Sequence, residues 1–260
     1  MMEMTIRKNS WRDTKTMFWR CMIKTLRTPD AMVIGIVVPA LVMLIFVNVF
    51  GGSIDVGDYD FINFIVPGIL LNSLIQGSAS TGISVNQDMT TGIINRFRTM
   101  AISHASFLTG HVLAAVVKTV MTTIVIILVA VLAGFRPSAT LIEWLAIVGF
   151  ILLFIFAITW FAVFLGVVLK DSTGAGGLIQ LAAMLVFVSS GFSPTENMPR
   201  FFRYFAENQP MTPFINVLRA LMNGHAISGN DLQLALIWWG GILIVMFLAT
   251  VRVYKKKLTV

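Results

Sequence analysis

Few residues of this sequence are equipped for catalysis. The three histidines, His104, His111 and His225, are scattered. His104 and His111 stand seven apart, on one face of a continuous helix, but no third ligand or carboxylate stands beside them. Cys21 is the only cysteine, which excludes an intramolecular disulfide and a cysteine zinc cluster. No Gly-Lys dipeptide occurs, so a phosphate-cradling P-loop is absent. Gly-x-Ser-x-Gly and His-Glu-x-x-His are absent too. The expectation is a chain with no catalytic residue, no metal and no cofactor of its own. What it offers is neutral polarity within apolar surroundings: Asn48, Asn72, Gln76, Gln180 and the small run from Gly77 to Gly82. The small residues suit close helix packing. Asn72 and Gln76, four apart on one helical face, also suit a wall of a path for a neutral or amphiphilic molecule.

The elements that hold these residues follow from composition. Hydrophobic residues make up 57% of the 260 and charged residues 12%, half the roughly 25% charge of an ordinary soluble domain. So few charges cannot clothe a water-facing surface, and so much apolar content excludes disorder. The fold class is an all-α polytopic membrane protein. A hydrocarbon core needs about 20 mainly apolar residues per helix. Runs of that kind lie at 32–50, 61–85, 112–133, 141–169, 174–192 and 232–251, predicting six transmembrane helices. The polar leader ahead of the first run is too long for a secretory signal, and the run too long for an h-region, so the first span is expected to be retained.

Orientation follows from the nineteen lysines and arginines. Fifteen fall on one side: Arg7, Lys8, Arg12, Lys15, Arg20, Lys24, Arg27, Arg96, Arg98, Lys118, Lys170, Arg252, Lys255, Lys256 and Lys257. Arg136, Arg200, Arg203 and Arg219 fall on the other, with seven of the twelve acids. Both termini are expected in the cytoplasm. The net charge of +7 then reads as cytoplasmic loops near anionic lipid, not as a nucleic-acid surface. Lys118 is the one basic residue well inside a run, near enough to the cytoplasmic end to snorkel. Carboxylates are missing from the run interiors, and Glu143 sits at an edge. Proton- or sodium-driven carriers normally use intramembrane ionisable groups. Their scarcity places any energy source on another chain.

Three segments are not spans. Residues 1–30 read as an amphipathic interfacial helix. Asp13, Arg20, Lys24 and Arg27 share an arc, opposite Trp11, Phe18, Met22 and Leu26, with Trp19 and Ile23 flanking. It is either a topological anchor or a gate. The loop 86–106 places Ile93, Ile94 and Phe97 on one face of a short cytoplasmic helix, which calls for lipid or a protein partner. Residues 193–230 hold Phe201, Phe202, Tyr204 and Phe205, then Asn208-Gln209-Pro210-Met211-Thr212-Pro213, predicting two short outer helices about a proline break. They form a surface hairpin or a re-entrant element; the latter requires protein or water around its irregular backbone.

On these residues the sequence resembles the membrane subunit of a type-2 ABC exporter, in particular the daunorubicin-resistance-like permeases. The resemblance covers nearly the whole chain from leader to last span. Asp88-Met89-Thr90-Thr91-Gly92-Ile93-Ile94-Asn95-Arg96-Phe97-Arg98 is similar to the family's first cytoplasmic loop, and Asn208 to Pro213 followed by Arg219, Leu221 and Gly224 to its outer stretch. The resemblance implies a coupling helix that docks on an ATPase, carried by Asp88, Gly92, Ile93, Ile94, Arg96, Phe97, Arg98 and Met100. It implies that the leader, with Trp11, Phe18, Trp19 and Met22, is an interfacial gate helix. The outer helices, with Phe205, Asn208, Pro210 and Pro213, would cap the exit. Asn48, Asn72, Gln76 and Gln180 would be candidates for the translocation path. Where relatives have a Leu-Pro-Ile-Ser-like string, this chain has Met100-Ala101-Ile102-Ser103, which removes a helix stop.

The implied partners are two copies of a separate ATP-binding subunit, which would hold ATP and Mg, a second copy of this permease or a related one, and membrane lipid. The implied setting is a bacterial or archaeal cytoplasmic membrane, and the implied cargo a hydrophobic or amphiphilic molecule moved outward. Rival readings are export of a lipid-linked glycan by the same fold, a carrier or channel not driven by ATP, which an essential carboxylate at Glu143 or Asp171 would favour, and a scaffold without transport.

Overall fold

The computed structural model describes residues 10–27, 29–51, 54, 56–57, 59–91 and 104–259. Every regular element among them is helical. In chain order they are α1 (Ser10–Leu26), α2 (Pro29–Ile45) with a π-helical continuation (Phe46–Phe50), α3 (Phe61–Thr90), α4 (His104–Leu132), α5 (Leu141–Val168), α6 (Ser172–Phe187), a 3₁₀ turn (Thr195–Asn197), α7 (Arg200–Asn208), α8 (Met211–Met222) and α9 (Gly229–Thr259).

Among the described residues, four helices are long and apolar enough to cross a membrane: α3, α4 from Ser106, α5, and α9 to Lys257. The first and fifth apolar runs form shorter helices, Gly35–Phe50 and Ser172–Phe187. Pro29 opens α2, where a missing N–H costs nothing, and Pro39 lies within it. At Phe46 the winding loosens to a π-turn, a form found mostly as single-turn bulges. α5 begins on a capping box: Thr140 accepts from the Glu143 amide while the Glu143 carboxylate accepts from the Thr140 amide. Asp171 caps α6 by accepting from the Gly174 amide at 2.6 Å.

α3 is the centre of the bundle and packs against α5, α6, α4 and α2. Glycines make its closest crossings. A Cβ on Gly82 would stand 2.7 Å from the Ala162 carbonyl oxygen, and one on Gly166 only 2.4 Å from that of Gly82. Backbones that approach this closely associate through dispersion and polar contacts, as membrane helices must. Asn86 seals the same crossing by donating to the carbonyls of Gly166 (3.1 Å) and Leu169 (2.8 Å). Further along, Phe214 of α8 stacks on Phe150 with centroids 4.4 Å apart, and Phe154 meets Trp239 of α9 at 4.2 Å. These aromatics of α5 are core residues, not a lining.

Lys118 turns toward α3. Its ammonium donates to the Gly77 carbonyl of α3 at 2.8 Å and to the Ser80 hydroxyl. A Cβ on Gly77 would press to 3.1 Å from the Thr119 hydroxyl, so the glycine brings α3 near enough for this bond.

Candidate functional site

The bundle has a basic end, which carries α1, Thr90, Lys170 and Lys255 to Lys257, and a far end with α7 and α8. At the basic end three helices send one polar side chain each to a common point. Arg20 of α1 donates from both terminal nitrogens to the Asp88 carboxylate of α3, at 2.9 and 3.2 Å. His111 Nε2 of α4 lies 3.1 Å from Oδ2 of the same carboxylate. Asp88 and His111 retain only 3% and 4% exposure. The fork of a guanidinium matches a carboxylate in plane, giving a directional as well as a charged tie. Phe107 packs edge-on against His111 and stacks on Tyr254, which brings α9 to the cluster.

α1 lies along α4. Met17 and Cys21 are its buried residues, and Met17 sits over Gly110, where a Cβ would come within 2.6 Å of it. The hydroxyls of Thr14 and Thr109 are 3.4 Å apart. Burial, the largest effect, pushes the Cys21 thiol up to about 11. The other side of α1 exposes Trp11 (75%), Trp19 (61%) and Leu26, with Phe18 and Met22 half-buried. The tryptophan stripe expected to meet lipid is therefore exposed. The basic arc, read from the sequence as a headgroup face, gives up Arg20 to Asp88.

Of the coupling residues expected from the sequence, Asp88 is at this cluster. Gly92, Ile93, Ile94, Arg96, Phe97, Arg98 and Met100 lie outside the described residues. The four neutral residues weighed for the path stand apart from one another. Asn72 donates to the Ala183 carbonyl at 3.1 Å and so joins α3 to α6. Asn48 is exposed and donates to Leu44 of its own helix. Gln180 is exposed on α6. Gln76 lines a cavity between α1, α3 and α4.

At the far end, α6 stops at Phe187, and the backbone beyond it needs partners that a membrane does not supply. Side chains of the Asn208–Arg219 stretch supply them. Gln209 donates to the carbonyls of Leu185 (3.1 Å) and Val188. Thr212 accepts from the Ser190 amide. Arg219, buried, donates to the carbonyls of Phe64 (3.0 Å) and Ser190 and lies 3.8 Å from the Phe64 ring centroid. The Pro210 carbonyl accepts from the Trp239 indole at 3.1 Å. Pro213 is buried in α8. Phe205 and Asn208 are exposed on α7, and Asn208 donates to Tyr204 of the same turn. α7 also exposes Phe201 (78%) and Tyr204 (72%).

Sequence reasoning placed Asp88 in the coupling motif but missed His111 and the inward turn of Arg20. Partners 23 and 68 residues away leave no mark in local spacing. The buried acid next to a basic loop was the one available signal.

A helical bundle with four membrane-crossing lengths, glycine-mediated crossings and side-chain-satisfied backbone breaks is a multi-pass membrane protein. The model of the ABC-2 type transporter family matches residues 12–223, and the chain belongs to that family. It is thus a permease-type membrane subunit of a family that works with ABC ATP-binding subunits. It is 28% identical over 248 residues to the daunorubicin resistance ABC transporter permease protein DrrB1 of Streptomyces coeruleorubidus, covering 94% of this chain and 86% of the relative. It is 27% identical over 233 residues to the probable doxorubicin resistance ABC transporter permease protein DrrC of Mycobacterium tuberculosis, covering 87% of this chain and 83% of that relative.

Proposed function

We propose that this chain exports hydrophobic or amphiphilic molecules, of the drug or lipid kind, across the cytoplasmic membrane of a bacterium or archaeon, with both termini inside. Two copies of the permease pair with two ATP-binding subunits, and ATP and Mg reside on the latter. The segment from Gly92 to Met100 docks on the ATPase. Relatives named for daunorubicin and doxorubicin resistance support this cargo class.

The observation that carries the mechanism is the Arg20–Asp88–His111 cluster. Asp88 stands four residues ahead of Gly92. A push on that segment therefore reaches α3 at Asp88, and Arg20 and His111 pass it to α1 and α4. α1 presents tryptophans outward, so its displacement opens or closes the way in from the inner leaflet. Glu143 and Asp171, the two carboxylates weighed for a carrier, serve as helix caps, which weighs against that reading. The packing of Phe150 and Phe154 against Phe214 and Trp239 withdraws these two α5 aromatics from sugar stacking. The test is Phe97→Asp in the full complex. Basal ATPase activity should persist while cargo-linked ATPase stimulation and transport fall together. Unchanged coupling refutes the docking assignment.

A further inference from the structure

The cavity between α1, α3 and α4 has a volume of about 330 Å³, and its wall includes Arg20, Lys24, Gln76, Ser80, Asp88 and Lys118. Three of these residues are cations, and the one acid among them is shared by Arg20 and His111. Lys118 has only neutral partners, the Gly77 carbonyl and the Ser80 hydroxyl. No carboxylate among the described residues is within ion-pair distance of it. An ammonium so placed within an apolar helix normally marks a site, with its counter-charge still to be named.

Depth narrows the choice. About 20 helical residues cross the hydrocarbon, and counting from Phe61 at the far end of α3 brings that distance to Ser80. The Lys118–Ser80 contact thus lies where inner-leaflet headgroups begin, given the inward orientation of the basic end proposed above. Hydroxyls and amides (Gln76, Ser80, Thr81, Ser84, Gln87) surround the three cations. That is a donor set for an oxyanion with several oxygens, and it repels a cationic amine. We propose that this cavity binds the phosphate of an anionic inner-leaflet lipid, with Lys118 as its innermost ligand and Arg20 and Lys24 at its mouth.

The test uses the full-length protein in nanodiscs of phosphatidylcholine with or without phosphatidylglycerol, followed by native mass spectrometry of the lipid retained. The wild type should retain phosphatidylglycerol about fivefold over phosphatidylcholine, the scale of one cation acting on an anionic headgroup. Lys118→Gln should abolish the preference, Lys118→Arg should keep it, and Lys255→Gln on the exposed tail should leave it unchanged. Equal retention of both lipids by the wild type, or an undiminished preference in Lys118→Gln, overturns the proposal. Inorganic phosphate added as competitor separates the sources: displacement of the lipid assigns the site to phosphate as such, resistance to the lipid headgroup. A second measurement needs no variant. Cys21 lines the same cavity, so its maleimide labelling should slow in phosphatidylglycerol discs. A rate equal in both discs likewise overturns the proposal.

Discussion

Arg20 and Asp88, 68 residues apart in the chain, meet through two nitrogen–oxygen contacts of 2.9 and 3.2 Å, one guanidinium nitrogen to each carboxylate oxygen. The pair joins α1 to α3 at the last turns before the segment assigned to the ATPase. In the proposed mechanism this tie makes the interfacial helix part of the moving assembly as well as an anchor.

Breaking that tie should uncouple more than it unfolds. Arg20→Ala removes a charged hydrogen-bond pair, a contact of about 1.5–3 kcal/mol, but leaves Asp88 its bond to His111. We expect inserted, folded protein with transport reduced about tenfold and ATPase activity of the complex retained. Arg20→Lys should recover part of the transport, since a lysine keeps the charge without the fork. Transport assays beside detergent-extracted yield check this.

The α3–α5 crossing should tolerate no side chain at Gly166. In Gly166→Val the Cβ alone would fall 2.4 Å from the Gly82 carbonyl oxygen. Overpacking of this kind costs about 1–3 kcal/mol. The expected result is a lowered thermal midpoint and a lower yield, while Gly240→Ala, with open space around it, stays at the wild-type midpoint.

Burial holds the Cys21 thiol at about 11 against an ordinary 9.0. The shift raises the folded pKa, so the thiolate is scarcer in the native protein at every pH below 11. At pH 8 its thiolate fraction is about one hundredth of that of an unshifted thiol. Maleimide labelling should be slow at pH 7 and climb about tenfold per pH unit to pH 10, whereas denatured protein labels quickly throughout.

Glu143 and Asp171 should prove structural. Glu143→Gln preserves the capping box chemistry, and Asp171→Ala loses one cap worth about 1 kcal/mol. Both variants should transport at wild-type rates under a reversed proton or sodium gradient. Loss of transport with intact folding would favour the ion-driven carrier instead.

The helices were legible because hydropathy is a local property. The run 141–169 becomes α5, Leu141–Val168, and the amphipathic leader becomes α1. Where the sequence places a span at 61–85, α3 runs on to Thr90, and α4 starts at His104, ahead of its apolar run. Hydropathy reports what lies in hydrocarbon, while helices continue into the polar region wherever protein packs against them. The loosening at Phe46–Phe50 and the early end of α6 were not legible. The second depends on Gln209, which donates to the carbonyls of Leu185 in α6 and Val188 just beyond it, and on Arg219, which donates to that of Ser190, all from a later part of the chain. At the site, Asp88 carried a signal through its place in a loop motif. Arg20 looked like one more headgroup cation and His111 like an isolated ring. Their roles depend on which helices touch, and periodicity does not encode that.

In the proposed mechanism, transport through this chain is driven by a partner's ATP hydrolysis. The most direct test reconstitutes the permease with its ATP-binding subunit in proteoliposomes and follows daunorubicin movement with ATP and Mg. With the wild-type partner, movement should be vectorial and depend on ATP. With a non-hydrolysing partner variant it should fall to the leak of protein-free vesicles. Movement that is unchanged with the non-hydrolysing partner would contradict the account.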